Sequence, residues 1–250
     1  MVTVLFLISV RGGEIFVTLD SADNFDCPNT DIFDQISIRQ TNRKVYSGSK
    51  ISLSVISELE NIVMDEDVNI HLYPNGSEQF ELLESCIISG NLQQMRDKLF
   101  KDELKLWMRY NSRHDRQTKD GLSYSVFGAP DLPRFVSKSI MNICLNTAVQ
   151  NRCDRKKIKS SSHFALFTLS ENDITHWIVS GRILQRFLLK ATGYGVACAF
   201  MNQPCEIAWL SDRLRQDLGI FGYPVVLLRI GYAPSVSYSL RRPIEKFIVE

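Results

Sequence analysis

The apolar positions of this chain change period along its length, and the changes mark out its elements. At the start, "VLFLISV" and "EIFVTLD" alternate around Gly12-Gly13, the pattern of two strands joined by a two-glycine turn. After the turn-rich "DNFDCPNTD", Asp31 to Ile38 carries Ile32, Phe33, Ile36 and Ile38 at spacings that suit a short helix. In "KISLSVISELENIV" the residues Ile51, Val55, Ile56, Leu59 and Ile62 recur at helical spacing, with Ser52 or Ser54 as a cap. "VNIHLYP" then reads as a strand. Two helices follow, Glu78 to about Met95 and Asp97 to about Tyr110.

From Asn111 to Pro133 the chain is polar and punctuated by Gly and Pro, too long for a plain connector, and is expected to be a lid or a mobile excursion. A helix from Phe135 to about Gln150 is expected to end in the basic run "NRCDRKKIK", read as a solvated helix end and loop. The remainder is more regular. "HFALFTL" is a buried strand, "SENDITHWIVSGRILQRFLLKATGYG" a long capped helix with glycines at its end, and "VACAFM" another strand. A short helix in "EIAWLSDRLRQDLG", a core strand "YPVVLLRIGYAP" and an extended tail "SLRRPIEKFIVE" complete the chain. Trp177, Ile178, Leu184, Phe187 and Leu188 leave the long helix apolar on much of its circumference, and all five are expected to be buried. Strands alternating with helices indicate an α+β or α/β sandwich around a central sheet.

Composition narrows the function. The 250 residues are 44% hydrophobic and 23% charged, as in an ordinary globular protein, and a net charge of +1 gives no broad attraction for nucleic acid or anionic membrane. The basic stretches "RYNSRHDRQTK" and "RCDRKKIK" lack the aromatic interleaving of single-strand binding, so no nucleic-acid partner is expected. The opening apolar segment is short and meets Arg11 at once, which argues against a signal peptide or a membrane span. Six cysteines without a CxxC pair suggest free thiols in a reducing, cytoplasmic setting. His163 and His176 share no metal-ligand spacing, and no metal site is expected. No GxGxxG follows a strand, so a dinucleotide-binding crevice is not indicated.

Any anion site must therefore be local, and "IRQTNRKVY" is the candidate. It places three cations and small donors in Arg39 to Lys44, just before a helix, as a solvated turn or as a cradle for an anion.

Two separated stretches resemble one family, the FMN-dependent nitroreductases. "LLRIGYAPSVSYSLRRPIEKFIV" looks like the family's C-terminal signature, and "RQTNR" looks like its early Arg-Arg-Ser-x-Arg motif. Arg39 and Arg43 stand in the outer arginine places, Thr41 in the serine place, and Gln40 in place of the second arginine. Between them, the helix ending "ATGYG" and the following "VACAFMNQPCE" are similar to the family's central helix and to the strand and loop beside the flavin ring.

The resemblance implies an α+β, nitroreductase-like three-layer sandwich, with a mixed, mainly antiparallel sheet flanked by helices over residues 31–250. Residues 1–30 would be N-terminal strands or an arm, similar to the end of a first module in twin-module members. It implies FMN as cofactor, its phosphate on Arg39, Gln40, Thr41, Arg43 and Arg241, and its ring near Ala199, Met201, Asn202 and Gln203. No acid–base residue is implied, and no catalytic residue is assigned. It further implies a homodimer that passes electrons from NAD(P)H to a nitroaromatic, quinone or related flat acceptor. The family's Ser-x-x-Asn-x-Gln-Pro-Trp-like stretch is absent from "ENIVMDEDVNIHLYPNG", so a catalytically degenerate, flavin-sequestering protein is the alternative.

Overall fold

A computed structural model describes residues 9–11, 14–16, 30–62 and 67–248. Strands β1 (Ser9–Arg11) and β2 (Glu14–Phe16) pair antiparallel, as the N-terminal alternation predicts, while the turn between them and most of the first thirty residues lie outside the described set. Two single-turn helices, α1 (Thr30–Phe33) and α2 (Gln35–Ile38), precede the basic motif. Helix α3 (Leu53–Glu60) starts at Ser52, whose hydroxyl accepts the Val55 amide.

The centre is a four-stranded sheet in the order β3 (Val68–Pro74), β6 (His163–Leu169), β8 (Tyr223–Tyr232), β7 (Val196–Phe200), antiparallel at every pairing. β6 is buried at all seven positions because it is central and both of its faces are covered. Its alternate residues separate into two cores, the expected consequence of a period of two. Ala165, Phe167 and Leu169 face Ile56 and Leu59 of α3 and Ile183 and Phe187 of α9 (Ile174–Gly193). Phe164 and Leu166 face Phe80, Leu83 and Ile87 of α4 (Glu78–Arg96), Ile158 of α8 (Thr147–Lys159), and Leu210 and Leu214 of α11 (Ala208–Leu218). This is the three-layer α+β sandwich expected from the sequence.

The elements between α4 and β6 depart from the reading of the chain. Asn111 to Pro133 is built rather than open. After α5 (Lys98–Trp107) and β4 (Met108–Arg109), it holds α6 (Ser112–Thr118), β5 (Leu122–Ser123), which pairs parallel with β4, and a 3₁₀ turn, Tyr124–Phe127. The single helix expected from Phe135 is two, α7 (Arg134–Cys144) and α8, divided where the Asn146 carboxamide accepts the Ala148 amide. The basic run continues as helix because Asp154 and Ile158 within it are buried.

On α9, Phe187 and Leu188 are buried, Ile178 and Leu184 are partly buried, and Trp177 is half exposed. The apolar stripe extends past the edge of the sheet that covers it, so the expectation of five buried residues holds for two. Helix α10 (Gln203–Glu206) is separated from α11 at Ile207. Among the described residues no helix is long and apolar enough to cross a membrane.

Candidate functional site

Helix α2 stops at Ile38, and Arg39 is already extended at φ −61°, ψ 132°. The chain then runs along the free edge of β7. Thr41 forms a parallel bridge with Cys198, and the Asn42 amide donates to the Cys198 carbonyl at 2.9 Å.

The C-terminal tail runs along the other side of this segment, held by side chains. The Asn42 carboxamide donates to the Pro234 carbonyl at 2.8 Å, Gln40 Oε1 accepts the Val236 amide, and the Tyr238 hydroxyl donates to the Ile38 carbonyl at 2.7 Å. Each step of two backward on the first segment is a step of two forward on the tail, so the segments are antiparallel and clasped at alternate residues. Side chains of extended backbone alternate in direction. Gln40 and Asn42 are turned to the tail, which leaves Arg39, Thr41 and Arg43 together on the opposite side.

Beneath the segment lies Arg229, 1% exposed, in the middle of β8 and in register with Ala199 on β7. Its Nη2 donates to the carbonyls of Asn42 at 3.2 Å and Lys44 at 2.7 Å. Its guanidinium sits 3.9 Å from the ring centre of Tyr46, whose hydroxyl donates to the Asn42 carbonyl. Gly231 permits this arrangement, because a β-carbon there would stand 2.9 Å from the Tyr46 ring. Burial lowers the Arg229 pKa and raises that of Tyr46. The Cys198 thiol, fully enclosed beside them, is pushed up to about 12 by burial.

The expected site residues divide into those with spare donors and those already committed. Arg43 is partly desolvated, which lowers its pKa, and stands 5.6 Å from the ring centre of Phe127. Arg241 is exposed on the tail, and it is the next residue, Arg242, that pairs with Asp120. Asp120 also receives Nε and Nη2 of Arg109, and hydrogen bonds from Arg242 and Arg109 hold its carboxyl down to about 2.

Ala199 is buried in β7, and the Met201 amide donates to the Leu227 carbonyl. The Asn202 carboxamide extends the sheet by accepting the Leu227 amide at 2.9 Å and donating to the Val225 carbonyl. Gln203 turns away towards α4, donating to Asn91 at 3.0 Å. Where β7 ends, the uncovered edge of β8 and helices α9 and α11 enclose a cavity of about 600 Å³, lined by Asn202, Cys205, Trp177, Leu184 and Val225. Its size suits a small organic ligand.

Asn42, Tyr46, Arg229 and Tyr238 were not singled out from the sequence as site residues. A lone arginine inside the apolar run "VVLLRIG" was the available signal, since an arginine is seldom buried without a partner.

Among the described residues, six buried side-chain polar atoms lack a partner, and three of them are donors in this region: Gln40 Nε2, Arg229 Nε and Arg229 Nη1. The Val236 bond fixes the orientation of the Gln40 amide, so its free atom is the nitrogen. No ion pair among the described residues includes Arg39, Arg43, Arg229 or Arg241. Arg229 is compensated within the interior by the Tyr46 ring and two carbonyls, whereas Arg39, Arg43 and Arg241, without an ion pair among the described residues, fit an oxygen-rich anion.

No family model matches the chain. Two Mycobacterium tuberculosis proteins, provisionally designated NAD(P)H nitroreductases, are 43% identical over 56 residues, a stretch that spans 22% of this chain and 16% of theirs. Among solved structures, the chain is similar to the FMN-dependent nitroreductase NfnB of Mycobacterium smegmatis, solved with NADPH, at TM-score 0.56 and 11% identity over 88% of this chain and 97% of that one. A variant of an FMN- and NADPH-dependent nitroreductase from Sphigopyxis sp. strain HMH gives TM-score 0.58 at 11% identity over 88% and 98%. A Desulfitobacterium hafniense nitroreductase with bound FMN gives 0.54 at 10% over 88% and 98%. At these identities the likeness is one of fold.

Proposed function

We propose that this chain, which has the fold of the FMN-dependent nitroreductases, binds FMN through the segment after α2 and works as an NAD(P)H-dependent flavin oxidoreductase. The observation that carries the reading is the set of arginines without an ion pair among the described residues, Arg39, Arg43 and Arg241, where the basic motif meets the tail. FMN ends in a phosphate dianion, which takes guanidinium forks and neutral donors together. Arg39 and Arg43 would supply the charge and Thr41 a neutral donor, with Arg241 a further cation from the tail, while Gln40, turned to the tail, would hold the segment in place. Ala199 and Met201 would line the ring side with backbone, and Asn202, which caps the edge of β8, would connect them to the cavity that it lines. Trp177 and Leu184 give that cavity an apolar wall that excludes water.

Bound FMN would supply the redox chemistry, taking electrons from NAD(P)H and releasing them to a nitroaromatic, quinone or related flat acceptor. The cysteines fit a reducing, cytoplasmic setting. All five of those described, Cys86, Cys144, Cys153, Cys198 and Cys205, are free thiols. We further propose a homodimer. Phe33, Ile36 and Ile38 on the first two helices and Trp177 on α9 expose apolar surface that a second copy would cover. In such a dimer residues 1–30 serve as an arm of the domain formed by 31–250.

Titration of FMN and riboflavin by flavin fluorescence tests the cradle. Arg39→Ala, Arg43→Ala and Arg241→Ala should each weaken FMN about ten- to a hundredfold, since a hydrogen bond to a charged group contributes roughly 1.5–3 kcal/mol. Riboflavin affinity should barely change. Equal FMN affinity in all three variants would sink the assignment. The redox reading is tested separately by anaerobic bleaching of the flavin with NADH or NADPH, and the dimer by light scattering at micromolar concentration.

A further inference from the structure

A second cationic concavity lies outside the proposed flavin site. Helices α5, α6 and α7 surround an open cavity of about 630 Å³ whose lining includes Asp102, Lys105, Arg109, His114, Arg134 and Lys138, with Tyr110 beside them. Four cations of this lining face one carboxylate. Arg109 is answered from outside by Asp120, and Asp102 stands 4.0 Å from Lys105. Arg134 and Lys138 have no carboxylate partner among the described residues. Arg134 is therefore unpaired by any carboxylate, and Lys138 is answered only by the face of the Tyr110 ring, 5.9 Å from its Nζ, so both charges remain without a counter-anion in one concavity.

These two lie at i and i+4 of α7, where like charges repel along a helix face. Both side chains are exposed, and the one packing contact, of Lys138 with the Tyr110 ring, does not neutralise either charge. Across the cavity the Tyr110 amide donates to His114 Nδ1 at 3.3 Å, so a neutral His114 carries its proton on Nε2 and remains a donor. Burial and the charges of Arg134 and Arg109 hold the His114 pKa down, against the weaker opposing effect of Asp115 and Asp120. The imidazole lies 5° from parallel with the Tyr110 ring at 5.9 Å, and Tyr110 is anchored by its hydroxyl on the Lys105 carbonyl.

We propose that this cavity binds a phosphomonoester of mononucleotide size, its phosphate held by Arg134, Lys138 and Lys105 and its flat part lying against His114. Charge and volume both select this class. A phosphomonoester carries about −1.5 to −2 at neutral pH, which matches the two cations that lack a counter-anion. A volume of about 630 Å³ is larger than a lone phosphate needs and is within the range of small-molecule sites. The site does not depend on the flavin reading, because none of its residues belongs to the segment after α2. It is adjacent to the tail through Arg109, whose partner Asp120 also binds Arg242.

Isothermal titration of the full chain with AMP, adenosine and inorganic phosphate tests the proposal. Saturable AMP binding is expected at least tenfold tighter than either fragment, and weaker as NaCl is raised from 50 to 200 mM by an amount that reflects its charge. The Arg134→Ala/Lys138→Ala double variant should weaken AMP at least tenfold while leaving flavin titration unchanged. Absence of saturable binding at millimolar AMP overturns the site. So does a double variant that binds AMP like the parent, or loss of AMP binding with Arg39→Ala instead, which would place the ligand in the other cradle. A preference for a single-stranded oligonucleotide over AMP would replace a small-ligand site by an extended nucleic-acid surface.

Discussion

Arg229 and Tyr46 form a stacked pair in the interior, the guanidinium 3.9 Å from the ring centre, and among the described residues Arg229 makes no ion pair. A buried cation is costly, and here it is compensated by an aromatic face and two backbone carbonyls. Arg229→Lys keeps the charge but loses the planar group on the Tyr46 ring and ends one bond short of Nη2, so the Lys44 carbonyl loses its donor while that of Asn42 keeps the Tyr46 hydroxyl. Each buried acceptor left unpaired costs about 1–3 kcal/mol. A urea midpoint lowered by that loss divided by the slope is expected for Arg229→Lys, with the slope itself unchanged. An unaltered midpoint would show that the pair is incidental.

The clasp between the early segment and the tail should yield unequal costs along its length. Asn42 is 2% exposed and makes two bonds through its side chain, to Pro234 and to the Lys44 amide. Asn42→Ala should therefore destabilise by about 1–3 kcal/mol and admit protease to the tail. Tyr238 is half exposed and its acceptor is solvated, so Tyr238→Phe should cost less than about 1 kcal/mol. Unfolding curves for the two variants separate these outcomes, and a reversed order would mean that the tail is held from its far end.

Asp120 joins the insertion to the tail by serving Arg109 and Arg242 together. Its folded pKa is depressed, so its contribution is complete above the unfolded value near 3.8 and is lost as pH falls through about 2. Hydrogen exchange in residues 108–128 and 234–246, corrected for the intrinsic rate, should be flat between pH 5 and 8. Asp120→Asn should raise it in both segments at once. Acceleration in only one would show that the two arginines do not share the carboxylate as a unit.

His176 has the opposite sign. Its Nδ1 meets Asp173 at 2.7 Å and its Nε2 faces Asp67 at 3.7 Å, and the bond to Asp173 raises its pKa. The stabilisation is thus fully present below the unfolded value near 6.5 and is lost as pH rises through the higher folded value. Asp173 is lowered by its bonds to the His176 backbone and ring, and remains ionised throughout this range. Melting temperatures of the parent and His176→Asn should differ most at pH 5.5 and converge by pH 8.5. A difference that grows with pH would refute the assignment.

Much of the sandwich was legible because its strands and long helices carry clear periods and caps, as with "HFALFTL" and the Asp173 cap of α9. The division between α7 and α8 was not. Leu145 is apolar and buried, so the pattern runs through the break, and only the Asn146 side chain marks it. The same holds for Asn111 to Pro133. There α6 has a single buried residue, Asp115, and a polar buried position leaves no hydrophobic stripe to read. At the site, residues of the basic motif and of the tail could be named, but not the sorting of Gln40 and Asn42 from Arg39, Thr41 and Arg43. That sorting depends on which side of an extended segment the tail occupies, and local sequence does not encode it.

The clasp also sets an order of events in the making of the protein. Asn42 and Pro234 are 192 residues apart in the chain, so the early segment leaves the ribosome long before its counterpart exists. At roughly 5–20 residues per second that interval is about 10–40 s. During it Arg39, Thr41 and Arg43 are on a nascent chain that lacks both the tail and the strand carrying Arg229. The clasp can therefore close only after the tail has been made, and if the proposed phosphate cradle depends on it, a nascent chain arrested before Tyr223 should have no preference for FMN over riboflavin.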